Sequence, residues 1–140
     1  MPLLTQFNAF ITLMRPHQYS KNLFIFAPAF FGFGQYELGA VALDLCIAFC
    51  GFCLVASGIY AINDCLDAKL DALHPSKAAR PIASGLISPA LGYAFGIALL
   101  LIGGGGIYDC GQRFRGKLAA SSLRATAYLY HHQSRLLPIS

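Results

Sequence analysis

The chain has 140 residues, of which 56% are hydrophobic and 11% charged, and its net charge is +4. Soluble domains carry about 25% charged residues, so this composition argues against a soluble globular domain, and its apolar content argues against disorder. The basic C-terminal region has few aromatic residues and no recognisable nucleic-acid-binding motif. We therefore expect a membrane protein with no nucleic-acid partner.

Three apolar segments follow one another along the chain, at residues 19–36, 39–62 and 90–108. A helix needs about 20 residues to cross a hydrocarbon core of about 30 Å. The segments therefore predict an all-α, integral membrane, multi-pass protein with about three transmembrane helices. The clearest of them is 39–62, in which Asp44 near the start is the only charged residue.

Basic residues flank the first predicted span and recur between the second and the third. Arg15 and Lys21 belong to the first group, and Lys69, Lys77 and Arg80 to the second. Two crossings separate the groups, so both lie on the same side, which the positive-inside rule assigns to the cytoplasm. We expect an inner or plasma membrane protein with this side in the cytoplasm.

Beyond residue 108 the sequence becomes rich in Arg and Lys, and no further apolar span follows. This predicts a membrane domain over 1–108 and a basic tail over 109–140. The tail is interpreted as a segment on an anionic membrane surface, as disordered, or as a stretch translated out of frame after the glycine run at 103–106.

An acidic motif directly continues the second span, with Asn63 followed by Asp64, Asp67 and Asp71. Spacings of three and four residues place the three carboxylates on one face of a helix. Oxygen ligands without His or Cys suit Mg²⁺, which typically joins protein carboxylates to substrate phosphates. The same spacing also fits a solvated acidic helix end with local Lys partners, and from spacing alone both interpretations stay open.

Two further groups of polar residues lie on the expected cytoplasmic side. Lys77 and Arg80 occupy a Pro- and Gly-containing loop after the acidic motif, and Lys21 and Asn22 begin the first span. All four can contact phosphate. They equally fit simple anchoring at the membrane interface.

Two motifs resemble signatures of the UbiA superfamily of polytopic membrane transferases. The first is Asn63-Asp64-x-x-Asp67-x-x-x-Asp71, and the second is Arg80-Pro81-Ile82-Ala83-Ser84-Gly85. Two more are similar to the decaprenyl-phosphate phosphoribosyltransferase branch, namely Arg15-Pro16-x-Gln18-x-x-Lys21-Asn22 and His74-Pro75-x-Lys77-x-x-Arg80-Pro81-Ile82. The resemblance covers about residues 12 to 105 of the chain.

The resemblance implies a Mg²⁺-dependent transferase with a polyprenyl lipid substrate and a diphosphate-containing donor. The implied reaction moves a 5-phosphoribosyl group from phosphoribosyl diphosphate to a polyprenyl phosphate, whereas other superfamily members transfer a prenyl chain to an aromatic acceptor. Asp64, Asp67 and Asp71 are implied as catalytic metal ligands. The implied substrate-binding residues are Asn63, Lys21, Asn22, Lys77 and Arg80.

The resemblance also implies a bundle of about nine transmembrane helices and a second Asp-rich motif in its other half. After Asp71 the only acidic residue is Asp109, so the chain is expected to hold an incomplete bundle and one of two metal-binding halves. We expect it to be catalytically incomplete alone. The alternative is a truncated, inactive membrane fragment.

Overall fold

The structure is a computed structural model that describes residues 3–27, 31 and 38–136. In chain order its elements are helix α1 (Leu3–Met14), a 3-10 segment (Pro16–Phe26), helix α2 (Leu38–Leu73) and helix α3 (Pro89–Leu136). Within these ranges there is no β-strand. The all-α prediction is confirmed.

Two of these helices are long and apolar enough to cross a membrane, over Val41–Leu73 and Pro89–Arg124. Only 33% and 22% of their most apolar windows are buried. Most of their apolar side chains therefore face outward, which suits lipid better than a soluble core. Most of the residues predicted as spans at 39–62 and 90–108 lie in these two helices, which extend well beyond the predicted bounds.

The span predicted at 19–36 lies partly outside the described residues. Its first part is a 3-10 helix rather than an α-helix. The segment runs along α2 away from the acidic motif: the Tyr19 hydroxyl lies 2.8 Å from Ser57 Oγ, and the Phe26 and Phe49 ring centroids are 5.5 Å apart.

Helices α2 and α3 form an antiparallel hairpin whose backbones touch at glycines. A Cβ on Gly58 would lie 2.7 Å from the carbonyl oxygen of Gly96, and one on Gly103 would lie 2.6 Å from that of Gly51. Such close approach permits extensive van der Waals contact, which drives helix association where lipid removes the hydrophobic effect. This interface was not predicted from the sequence.

A small core closes the motif end of the hairpin. Its buried side chains come from α1, α2 and the loop before α3: Ala9, Leu13, Ala61, Cys65, Ile82 and Ile87. The rings of Phe10 and Phe95, 4.8 Å apart, extend the core onto α3. Ser88 caps the N-terminus of α3, because its hydroxyl accepts a hydrogen bond from Leu91 N–H and the helix begins at Pro89.

An ion-pair cluster lies at the opposite end of the hairpin. Asp44 is buried and contacts Lys117 and, at 3.3 Å, Arg113 Nε. Arg113 also contacts Asp109 at 2.8 Å. Along α2, Asp44 and Asp64 are about 30 Å apart, which matches a hydrocarbon core of about 30 Å. The spacing of the two charged groups is therefore compatible with a hydrocarbon core between them.

The predicted tail differs in the structure from a disordered segment. Helix α3 continues without a break from the apolar run to Leu136. Its Ala, Leu, Lys and Arg residues favour helix, and the contacts of Arg113 and Lys117 with Asp44 bind its first two turns to α2. Residues 137–140 lie outside the described part.

Replacing Gly103 by Ala tests the glycine interface. The new methyl group would meet backbone, the Gly51 oxygen at 2.6 Å, so the helices must separate at a cost of about 1–3 kcal/mol. Gly105→Ala is the matched control, because nothing lies within 4 Å of its Cβ position. We expect a lower thermal midpoint in detergent for Gly103→Ala only. Equal midpoints for the two variants would contradict the packing described.

Candidate functional site

Two of the three motif aspartates are buried and the third is not. Residues 57, 61, 64, 68 and 71 follow one stripe of α2, and this stripe faces α1 and the loop. It places Asp64 and Asp71 inside, at 3% and 2% exposure. Asp67 lies at the edge of the stripe and is exposed. A buried carboxylate needs a cation or hydrogen-bond donors nearby.

Three cationic side chains meet these two carboxylates. Arg15 Nη2 lies 2.6 Å from Asp64 Oδ1. Arg80 Nη1 lies 3.3 Å from the same oxygen and 2.5 Å from Asp71 Oδ2, while Lys77 Nζ lies 3.6 Å from Asp71 Oδ1. These five side chains are called the motif cluster below. They come from three separate segments of the chain.

The loop between α2 and α3 brings Lys77 and Arg80 back over α2. Its turns are closed by backbone hydrogen bonds, including Arg80 N–H to Lys77 O and Ser84 N–H to Arg80 O, both at 2.9 Å. Ile82 and Ile87 anchor it in the core at 4% and 2% exposure. Gly85 takes φ of 78°, a conformation that glycine adopts without steric cost. Backbone hydrogen bonds and buried side chains therefore fix the conformation of the loop.

Arg15 is held by an unusual backbone and by its neighbours on α2. It has φ of 52°, a left-handed conformation that is rare and strained for a residue with a Cβ. The guanidinium carbon lies 5.0 Å from the Tyr60 ring centroid. Ser57 Oγ donates to Met14 O at 2.9 Å, directly beside Arg15. The conformation brings the guanidinium to Asp64.

The other predicted site residues lie outside the motif cluster. Asn63 and Lys21 are exposed, and neither has a contact with Asp64 or Asp71 in the described structure. Asn22 donates to Cys53 Sγ at 3.4 Å, about 16 Å along α2 from Asp64. The expectation that Asn22 shares one end with the acidic motif is therefore wrong for this structure, because the 3-10 segment leads it away.

The donor chemistry of the motif cluster fits a hard divalent cation, although the three aspartates do not converge. Within the described residues, no group of three or more His, Cys, Asp or Glu side chains could hold a metal. Asp64 and Asp71 do converge, because a single nitrogen of Arg80 contacts both. Mg²⁺ typically takes one or two protein carboxylates and completes its shell with water and substrate phosphates. Asp64 and Asp71 are the residues that would hold it.

A comparison with family models decides the family. The model described as the UbiA prenyltransferase family matches residues 25–135, which is most of the chain. The chain belongs to the UbiA prenyltransferase family. The match extends past residue 108, where the sequence analysis placed the end of the membrane domain.

Several curated proteins are similar to parts of this UbiA-family chain. The decaprenyl-phosphate phosphoribosyltransferase of Mycolicibacterium smegmatis is 40% identical over 87 residues, 60% of this chain and 27% of its own length. The nodulation protein NoeC of Azorhizobium caulinodans is 37% identical over 107 residues, which cover 76% of this chain and 34% of NoeC. The protoheme IX farnesyltransferase of Streptomyces avermitilis is 32% identical over 102 residues, 72% and 32%. The chain spans about a third of the length of these relatives.

Arg15 was not predicted as a site residue: the sequence indicated only its place among the basic residues that orient the spans and in a family motif. The sequence feature that could have indicated its position is Ser57, a polar residue within an apolar run. A polar residue inside a span usually has a partner on another segment, and Ser57 is fully buried in the structure. That partner is Tyr19. The Tyr19–Ser57 contact places the preceding residues, Arg15 among them, beside α2.

Replacing Asp64 by Asn tests the burial of the motif cluster. The change removes the negative charge that Arg15 contacts and leaves Arg80 with Asp71 as its remaining carboxylate partner. We expect a loss of about 1–3 kcal/mol in the free energy of unfolding. Asp67→Asn is the control, since this exposed carboxylate has no described ion pair, and it should change stability by less than about 0.5 kcal/mol. Thermal unfolding in detergent measures both. A larger effect of Asp67→Asn would contradict the arrangement.

Proposed function

We propose that the chain supplies the donor-diphosphate site of a Mg²⁺-dependent UbiA-type transferase. The proposed reaction transfers a 5-phosphoribosyl group from phosphoribosyl diphosphate to a polyprenyl phosphate. The observation that carries the proposal is the motif cluster, in which two buried carboxylates and three cations lie together at one end of a membrane hairpin. That combination offers ligands for a metal and donors for phosphate oxygens at the same place.

Each residue of the cluster has a distinct task in this proposal. Asp64 and Asp71 would hold Mg²⁺, which when bound neutralises the diphosphate and makes it a better leaving group. Arg15 and Arg80 donate to phosphate oxygens in a planar fork, and Lys77 acts as a point charge. The exposed Asp67 and Asn63 lie on the same stretch of α2 and would be accessible to a water-soluble donor.

The reaction exchanges one carbon–oxygen bond for another. The bond from the anomeric carbon to the diphosphate breaks, and the diphosphate leaves with the electron pair. An oxygen of the polyprenyl phosphate supplies the electron pair for the new bond. The chain's contribution is to fix the leaving group and neutralise it, so that charge developing on it meets preorganised donors.

The membrane-facing surface suits an acceptor with a hydrocarbon chain. The surface has an apolar cleft on the hairpin and another on the 3-10 segment and the residues that follow it. One, of 310 Å³, is lined by residues of α2 and α3 that include Cys46, Leu54 and Ile102. The other, of 380 Å³, is lined by residues that include Leu23, Phe24 and Phe31. Such surfaces can contact a polyprenyl tail while its phosphate reaches the motif end.

The donor assignment rests on the similarity to phosphoribosyltransferases. The relative named for that activity is 40% identical over 87 residues, against 32% over 102 residues for the farnesyltransferase. The second candidate function is transfer of a prenyl chain from a polyprenyl diphosphate to an aromatic acceptor. It uses the same diphosphate site, and the farnesyltransferase similarity favours it.

We propose that the motif end faces the cytoplasm, where soluble diphosphate donors are available. Counting Lys and Arg alone does not decide this orientation, because Arg113 and Lys117 lie at the other end of the hairpin beside Asp44. The support is therefore chemical: a membrane-impermeant anion must reach Asp64 and Asp71 from water.

Donor binding by the purified chain tests the proposal. In the presence of Mg²⁺ we expect retention of labelled phosphoribosyl diphosphate, a loss of about tenfold or more in affinity for Asp71→Asn, and no loss for Lys69→Gln, an exposed residue on the same turn. Retention of a labelled prenyl diphosphate, without retention of labelled phosphoribosyl diphosphate, would favour the second candidate. Absence of binding by either donor would indicate an inactive fragment.

A chimera tests transfer itself. The 87 matched residues of the mycobacterial relative are replaced by those of this chain, and lipid-soluble label from phosphoribosyl diphosphate is measured in membranes. We expect transfer, and we expect Asp71→Asn in the exchanged segment to abolish it. A folded chimera with no transfer would contradict the phosphoribosyl assignment.

A further inference from the structure

A guanidinium nitrogen occupies the position on which the two buried carboxylates converge. Arg80 Nη1 is 3.3 Å from Asp64 Oδ1 and 2.5 Å from Asp71 Oδ2. A cation held by both carboxylates has to lie in the same region. Any metal that binds Asp64 and Asp71 together must therefore first displace Arg80. If the metal binds Asp64 through Oδ1, the oxygen that Arg15 contacts, it must displace Arg15 as well.

The charge count makes that displacement unfavourable for a free metal ion. Asp64 and Asp71 contact three cations, Arg15, Arg80 and Lys77, so these five groups carry one net positive charge. An incoming divalent cation is repelled by the arginines and gives them no new acceptor. A diphosphate offers them oxygens that accept from the same N–H donors.

The arginines have room to make this exchange, whereas the carboxylates do not. The side chains of Arg15 and Arg80 are 23% and 28% exposed, and those of Asp64 and Asp71 are 4% and 3% exposed. A guanidinium can therefore turn toward a ligand on the open side while the carboxylates stay in place. A carboxylate left without a cation would remain buried, which is costly.

The backbone on either side of the exchange is fixed. Met14 O and the Tyr19 hydroxyl both bond to Ser57 Oγ, at 2.9 Å and 2.8 Å, and hold the chain around Arg15. Ile82 and Ile87 hold the loop around Arg80. The exchange thus needs rotation of two side chains only.

We propose that Arg15 and Arg80 close the Asp64–Asp71 site to a free divalent cation and open it to a metal–diphosphate complex, which is taken up as one unit. The inference rests on the proposed function, because it specifies the form in which the donor and its metal bind. The two arginines exchange carboxylate oxygens for phosphate oxygens as the complex enters. Metal and diphosphate therefore bind with strong positive cooperativity, which is reciprocal.

Binding of Mn²⁺, as a probe for Mg²⁺, tests the inference on the full chain in detergent. Equilibrium dialysis with radioactive Mn²⁺ and labelled inorganic diphosphate measures the affinity of the chain for each of them alone and for both together. The electron paramagnetic resonance spectrum of bound Mn²⁺ reports on the atoms that coordinate the metal. We expect the two ligands together to bind at least about tenfold tighter than either alone. Equally tight binding of Mn²⁺ without diphosphate would overturn the gate and leave the proposed function intact. Failure of both ligands to bind together would overturn the proposed function as well.

Variants locate the gate. Arg80→Gln frees the shared position, and we expect it to raise the affinity for Mn²⁺ alone by about tenfold and to weaken binding of diphosphate. Arg15→Gln should also raise the affinity for Mn²⁺ alone and weaken binding of diphosphate, in this case through Asp64 only. This variant tests the inference if Arg80→Gln does not fold. Lys69→Gln removes the same charge from an exposed position on α2 and should change neither. If neither arginine variant binds Mn²⁺ more tightly than the parent chain, the gate does not exist.

Discussion

Burial of two carboxylates at the end of a membrane hairpin is the constraint on which the rest of the structure depends. An unpaired buried charge is so unfavourable that cations must be brought to it. Arg15, Lys77 and Arg80 supply them from two other segments. The core of Leu13, Ile82 and Ile87 then holds those segments against α2. The residues of the proposed diphosphate site are therefore the same ones that join the segments.

The hairpin itself is set by two features at different depths. Glycine contacts such as Gly58 against Gly96 bring the α2 and α3 backbones together in the apolar region, and the Asp44 ion pairs close the far end. Asp64 lies about 30 Å from Asp44 along α2. This distance would allow both charged clusters to reach the polar interface with the apolar residues between them in hydrocarbon. This is how a helix with four aspartates remains compatible with a membrane.

The sequence was sufficient for features that depend on local pattern. Apolar runs predicted α2 and α3, and the aspartate spacing predicted a helical carboxylate surface. It could not show which aspartates are buried, because the rotation of α2 is fixed by tertiary contacts of Ala61 and Cys65. The positions of Arg15 and Asn22 could not be predicted for the same reason, because the 3-10 segment carries Asn22 along α2 away from Arg15. The high Lys and Arg content beyond residue 108 also did not suggest that α3 continues there.

The coupling between Arg15 and Asp64 tests the central feature most directly. A double-mutant cycle compares Arg15→Gln, Asp64→Asn and the double variant by reversible unfolding in detergent. Because the two side chains contact each other at 2.6 Å, we expect non-additive losses with an interaction energy of about 1 kcal/mol or more. Losses that add within about 0.5 kcal/mol would show that the two residues do not interact, and would contradict both the motif cluster and the site built on it.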